Sequence, residues 1–317
     1  MIQTIATPAL WAGFAAFVVI AIAIDLLALE RKGAHSVTVR EALLWSLLWV
    51  GLSLAFCGLL WYWVDGHLGR AAADQKATEF LTGYVIEKSL SVDNIFVFLM
   101  LFGAFAVPPQ LQKRALIIGV IGAVVLRAIM ILVGAWLLSK FSWLLYVFGA
   151  FLVFTGMKML LVAEHEPDIE KNPILHWMRG HLSITRNYEA GHLTLLRDGR
   201  RWFTPLFLVV ALIGVTDVIF AVDSIPAIFA ITTDPFIVMT SNIFAVLGLR
   251  ALYFLLADMA ERFHLLKFGL AFVLTFIGGK MLIADVVHIP VGVSLAVVGI
   301  LLGTSIAASL ARPPRAR

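Results

Sequence analysis

The stretch VIEKSLSVDNI (residues 85–95) returns later in the chain as VTDVIFAVDSI (residues 215–225). The alignment sets Glu87 against Asp217, Asp93 against Asp223, and Asn94 against Ser224. Two more landmarks follow in the same order. VLRA (125–128) matches GLRA (248–251), pairing Arg127 with Arg250, and FTGMKMLL (154–161) matches FIGGKMLI (276–283), pairing Lys158 with Lys280. Three landmarks in one order on successive apolar stretches mark an internal duplication.

The medium follows from composition. Of 317 residues, 61% are apolar and only 14% charged, too few charges to cover a soluble protein of this size. A membrane-crossing helix needs about 20 mostly apolar residues. Nine stretches qualify: 8–30, 41–64, 77–103, 113–137, 142–163, 204–231, 235–257, 265–284 and 289–310. They lack the short alternation of membrane β-strands, so the expected class is an all-α membrane protein. The third and sixth stretches are long enough to tilt or break, and Pro226 predicts a break in the sixth. The apolar stretch near the N-terminus is long and carries no preceding Lys or Arg, which predicts a retained span rather than a signal peptide.

Lys and Arg in the loops set orientation. Alternate loops hold Arg31, Lys32 and Arg40; Lys113 and Arg114; Lys171, Arg179, Arg186, Arg197, Arg200 and Arg201; Arg262 and Lys267; and the tail Arg312, Arg315 and Arg317. The opposite loops have only Arg70, Lys76 and Lys140. The N-terminus is therefore expected outside and the C-terminus in the cytoplasm. Each repeat holds three helices, an odd number, so the second copy enters from the opposite side. Such inverted repeats are a recurring plan of secondary transporters. The expected layout is two scaffold helices (1–76), repeat 1 (77–163), a cytoplasmic linker (164–203), inverted repeat 2 (204–284), and a last helix with a basic tail (285–317). The linker holds His165, His176, His181 and His192 at irregular spacing, which reads as a solvated loop in preference to a metal sensor.

Each charge near a helix centre costs about 2.5–3.5 kcal/mol on insertion scales. Glu87, Asp93, Asp217 and Asp223 must therefore face a partner, a cation or water. Arg127, Arg250 and Lys88 are the available charge partners, and an internal ion-pair network that fixes packing is one reading. The surrounding oxygen donors favour another. Ser89, Ser91, Asn94, Thr216, Ser224, Ser241 and Asn242 lie at similar depth, and Pro226 frees the carbonyl of Val222. Carboxylate, hydroxyl, amide and carbonyl oxygens suit hard cations such as Mn²⁺, Mg²⁺ or Ca²⁺. Residues six apart on a helix point about 120° apart. Either the lead helices are broken, or Glu87 and Asp93 (and likewise Asp217 and Asp223) face different neighbours. Asp93 and Asp223 are the expected central pair, with Glu87 and Asp217 flanking. Asp25 either joins this site or makes a structural bond; Lys158 and Lys280 are expected to snorkel to the interface.

EKSLSVDNIFVF (87–98), FAVDSIPAIFAIT (220–232), DPFIVMTSNIFAVLGLRALYF (234–254) and GGKML (278–282) together resemble the TerC family of integral membrane proteins, over about residues 10–305. The resemblance implies a family of small-solute and cation exporters, linked to tellurite resistance and, in the Alx-like branch that the nine-span pattern favours, to manganese export. Its acidic positions carry over as Glu87, Asp93, Asp217 and Asp223, with Asn94, Ser224 and Asn242 beside them. Some members are described as redox modulators, for which this sequence has no redox motif.

The functional expectation is a Mn²⁺ exporter of the bacterial inner membrane, with the ion as cargo and no prosthetic group. The alternative is a non-transporting platform or sensor that meets cytoplasmic stress-response proteins through 164–203. An enzyme is not expected, because HExxH, GxGD and GxSxG are all missing. The expected partners are the lipid bilayer and a divalent cation, not nucleic acid; the sequence leaves the oligomeric state open.

Overall fold

The computed structural model describes residues 4–31, 39–161, 173–197, 199–256, 265–287 and 289–311. Its helices are α1 (Pro8–Arg31), α2 (Val39–Leu68), α3 (Arg70–Ala104), α4 (Pro109–Lys140), α5 (Leu144–Leu161), α6 (Pro173–His181), α7 (Pro205–Phe229), α8 (Pro235–Leu247), α9 (Leu249–Leu256), α10 (Leu266–Leu282) and α11 (Val291–Ala311). The sheet among the described residues is one hairpin, β1 (Thr194–Arg197) paired antiparallel with β2 (Arg200–Phe203).

The protein is an all-α membrane protein. Five helices (α2, α4, α5, α7 and α11) are long and apolar enough to cross a bilayer, or six if the bent pair α8–α9 is one span. The shortfall from nine expected spans has local causes. α10 has 17 residues, and the described apolar part of α1, Pro8–Ile24, is also short. α3 has 35 residues, but Glu79, Glu87, Lys88 and Asp93 interrupt its apolar surface.

The bundle is inside-out by the standards of a soluble protein. The outer helices expose Val19, Ile20, Leu44, Leu59, Phe154, Leu161 and Ile300, whereas every residue of α8 is buried. A helix apolar on all sides belongs at the centre of a bundle. Around α8 an aromatic cluster joins four helices: Phe14 and Phe17 of α1, Phe56 of α2, Phe80 of α3, and Phe236 and Phe244 of α8.

Two corrections concern breaks. Pro226 does not break its helix: α7 runs on to Phe229. Only one further residue triplet follows the proline, and the Ala230 N–H donates to Pro226 O at 3.0 Å, so the end closes as a turn. The break instead lies between α8 and α9, where the axis bends by 41° at Gly248. α3 is also continuous through the Ser-Leu-Ser run.

α5 and α10 pack through small residues. A Cβ on Gly149 would meet Gly278 O at 3.0 Å, and one on Gly156 would meet Ala271 O at 2.7 Å. Seven residues forward on α5 correspond to seven residues back on α10, so the pair is antiparallel.

The bundle has two distinct ends. At one, Asp234 accepts from Thr4 Oγ1 and the Ile5 N–H (both 2.9 Å), and Glu79 accepts from Thr232 Oγ1 at 2.6 Å. At the other, Tyr188 donates to Phe105 O at 2.6 Å and Tyr253 donates to Gln112 Oε1 at 3.1 Å. The stretch read as a linker folds here in its described part. α6 buries Leu175 and Met178, and the hairpin joins α7 through Thr204, whose hydroxyl donates to His192 O at 2.6 Å. His176, His181 and His192 are exposed on this lobe; His165 lies outside the described residues.

Candidate ion-binding site

α3, α4, α7 and α8 meet around one guanidinium. Arg127, fully buried on α4, donates through Nη2 to Asp217 Oδ1 at 2.9 Å and through Nε to both Asp217 oxygens, at 3.3 and 3.2 Å. Its Nη1 donates to Glu87 Oε1 and, at 3.2 Å, to Asn242 Oδ1. The Asn242 amide in turn donates to Glu87 Oε2 at 2.9 Å. None of the four residues is more than 2% exposed. The planar fork of Arg suits this arrangement, since it serves two carboxylates from fixed directions. Two acids and one base leave the cluster with one formal negative charge.

Glu87, Asp217, Arg127 and Asn242 thus form one buried network of ion pairs and hydrogen bonds. Asp223 is elsewhere. It lies six residues after Asp217 on unbroken α7, so it points to a different neighbour, α5. There the half-buried carboxylate faces Thr155 and Lys158. Of the three expected site acids whose side chains are described (Glu87, Asp217 and Asp223), Asp223 is thus the one not engaged by Arg127. Asp25 and Asp93 lie in α1 and α3, but their side chains fall outside the described residues.

The neutral donors divide similarly. Ser89, Thr216 and Ser241 donate back to their own helices, at Val85 O (2.7 Å), Leu212 O (2.7 Å) and Val238 O (3.2 Å). Ser241 also fills the space over Gly83, where a Cβ would meet its Oγ at 2.8 Å. By contrast Ser91 Oγ, Ser224 Oγ and both ends of the Asn94 amide are buried with no partner among the described residues. Ser91 and Asn94 follow Glu87 by one and two helical turns, and Ser224 follows Asp217 by two. Among the described residues no three His, Cys, Asp or Glu side chains converge as a ready metal cluster.

The remaining in-span basic residues are spread over four helices. Lys88 turns away from the acids to α8, donating to Ala245 O at 3.2 Å. Arg250 sits in the first turn of α9, beyond the break. Lys280 does not snorkel: its Nζ donates to Ser294 Oγ of α11 at 3.0 Å. Lys158, the other residue expected to snorkel, is exposed on α5 and faces Asp223.

Residues 72–317 match the family model "Integral membrane protein TerC family". The chain belongs to the TerC family. Its likeness to curated relatives runs nearly end to end. It is 58% identical over 305 residues (96% of this chain and 95% of the relative) to the Escherichia coli K12 protein named "Putative membrane-bound redox modulator Alx". A Salmonella typhi protein of the same name is 57% identical over 93% of this chain and 92% of its own. A Myxococcus xanthus protein, "Uncharacterized membrane protein STKORF319", is 48% identical over 97% and 93%. This places the TerC chain among Alx-like members. No solved structure matches it.

Proposed function

We propose that this TerC-family chain is a secondary transporter of divalent cations, with Mn²⁺ as its cargo, moving the ion out of the cytoplasm across the bacterial inner membrane. The observation that carries the reading is the set of uncommitted oxygens. A buried polar group left without a hydrogen bond costs about 1–3 kcal/mol. Among the described residues Ser91, Asn94 and Ser224 leave three such oxygens without a partner in the bundle interior, while Asp223 keeps a carboxylate that Arg127 does not neutralise. Packing alone gives no reason to keep these groups; a hard cation that sheds water does. In this reading Asp223, with its repeat counterpart Asp93, supplies charge, and Ser91, Asn94 and Ser224 supply neutral ligands. Glu87, Asp217, Asn242 and Arg127 are the rigid core that sets the lead helices. The chain acts as a carrier and not as an enzyme.

The inverted-repeat architecture, with nine crossings, is part of the proposal. The alignment makes Gly149 the counterpart of Ala271, and Gly156 that of Gly278. The contacts exchange these partners: Gly149 meets Gly278, and Gly156 meets Ala271. Exchange of this kind is what a two-fold axis produces. The helices follow the same rule, α3 packing on α8 and α4 on α7. Rocking of one repeat against the other would alternate access to the site. The basic residues favour an outside N-terminus and a cytoplasmic C-terminus. The redox role in the relatives' name finds no dithiol here, since the chain has a single cysteine, Cys57.

The platform reading is supported by one observation, the folded lobe at 173–203 with exposed Trp177 and Leu196. Deleting it separates the two: a platform loses function, whereas a transporter retains flux. The decisive experiment measures cell manganese in an exporter-deficient bacterium carrying the wild type, Asp223→Asn or Asp93→Asn at matched membrane abundance. Wild type should lower the metal and both variants should fail. Unchanged manganese with the wild type present overturns the reading.

A further inference from the structure

The bend between α8 and α9 is an interruption inside a span, and interruptions cost hydrogen bonds. The last four carbonyls of any helix lack intrahelical donors, and a hydrocarbon interior offers no water to replace them. At this bend the Gly248 N–H closes a tight turn onto Val246 O, and the Leu252 N–H reaches Gly248 O at 3.1 Å. Ala245 O is served from another helix: the Lys88 ammonium of α3 donates to it at 3.2 Å.

Three features show that the bend and Lys88 fit one another. The carbonyl end of a helix is the negative pole of its dipole, so a cation is favoured there. Gly248 has ordinary backbone angles (φ −83°, ψ −3°), so its glycine is not needed for conformation. It is needed for space, because a Cβ there would meet Lys88 Nζ at 2.5 Å and Trp49 Cβ at 3.3 Å. The repeat supplies the contrast. Gly248 aligns with Val125, which lies in unbroken α4, and Lys88 aligns with Val218 of α7. The bent copy has the glycine and the lysine; the straight copy has two valines. Among the described residues no carboxylate pairs with Lys88, so charge neutralisation does not explain its position.

We propose that the α8–α9 bend is a monovalent-cation site whose occupant is the chain's own Lys88 ammonium, and that removing this tethered cation opens the site to a free alkylammonium ion. The proposal is independent of the transport reading. An apolar crevice lined by Ala21, Ile22, Trp49, Ile117, Val120 and Leu247 adjoins the bend.

The test is chemical rescue of folding stability on the purified full-length chain in detergent. Lys88→Ala removes three methylene groups and the ammonium, the shape of n-propylammonium. Thermal unfolding is followed for wild type and variant with n-propylammonium, with uncharged 1-propanol, and with tetramethylammonium. Lys88→Ala should unfold at a lower temperature than wild type. Propylammonium should restore it saturably, by about 3 °C at ten times its dissociation constant. Propanol and tetramethylammonium should not, and wild type should not respond to the amine. Equal rescue by propanol means that only volume was replaced, and overturns the proposal; so does a variant that responds to neither. If Lys88→Ala yields no folded protein, Gly248→Ala decides. Its new Cβ should drive Lys88 from the bend and raise the labelling of Lys88 by an amine-reactive reagent, read by peptide mass spectrometry. Labelling unchanged from wild type overturns the proposal.

Discussion

Replacing Arg127 by Met tests whether one guanidinium holds the centre of the bundle. The side chain is fully buried, and its removal strands Glu87 and Asp217, each at most 2% exposed, along with the Asn242 carbonyl. Breaking a single buried ion pair costs about 3–5 kcal/mol, because the remaining charge is left without compensation. Here two pairs share one cation, but a carboxylate left buried without its partner can take up a proton and become neutral. The expected loss is therefore about 5 kcal/mol, comparable with the whole stability of many domains. Adding Glu87→Gln and Asp217→Asn to Arg127→Met removes both stranded charges and should recover the protein to within about 2 kcal/mol of wild type. Arg127→Lys should lie between, since an ammonium cannot bridge both carboxylates with a fixed fork. Denaturant unfolding in detergent, followed by tryptophan fluorescence, measures all four proteins. If Arg127→Met unfolds within about 1 kcal/mol of wild type, or the triple variant is no better than the single, the network does not carry the packing.

Gly278→Ala should destabilise by about 1–3 kcal/mol, because its Cβ would stand 2.6 Å from Gly149 O and 2.8 Å from Val153 N, backbone atoms that cannot turn aside. The same change at Gly299, which lies inside α11 with nothing within 4 Å, should not lower the melting temperature. Asp234→Ala removes the N-cap of α8 (Phe236 N–H to Oδ1, 3.0 Å) and both ties to Thr4 and Ile5. A loss of about 1–2 kcal/mol, with faster hydrogen exchange at the Ile5 amide, is the expected result; unchanged exchange there refutes the tie. Burial raises the Tyr188 phenol above its ordinary value of 10.0. Its contribution is therefore complete below pH 10.0 and is lost as pH rises through the folded-state value. Wild type should lose thermal stability more steeply than Tyr188→Phe in that alkaline range, and parallel curves would remove Tyr188 from the lobe's attachment.

The sequence alone determined the solvent and the all-α class. Long apolar runs with few charges have one physical outcome, helices in lipid, because a backbone without water must satisfy itself. The duplication was legible too, since Glu87, Asp93, Arg127 and Lys158 each return in order with their neighbours. Family membership was carried by the same motifs. What remained hidden was the direction each charge takes. Helical periodicity separates Glu87 from Asp93 by about 120°, but does not say which helix stands on either side. Tertiary packing decided that Arg127 serves both Glu87 and Asp217, that Asp223 faces α5, and that Lys88 turns to Ala245. It also decided where the chain breaks. Pro226 carried the obvious local signal, yet it falls in the last turn of α7 and ends a helix that was ending anyway. Gly248 carried almost none, because the lysine that meets it in space lies 160 positions earlier in the chain.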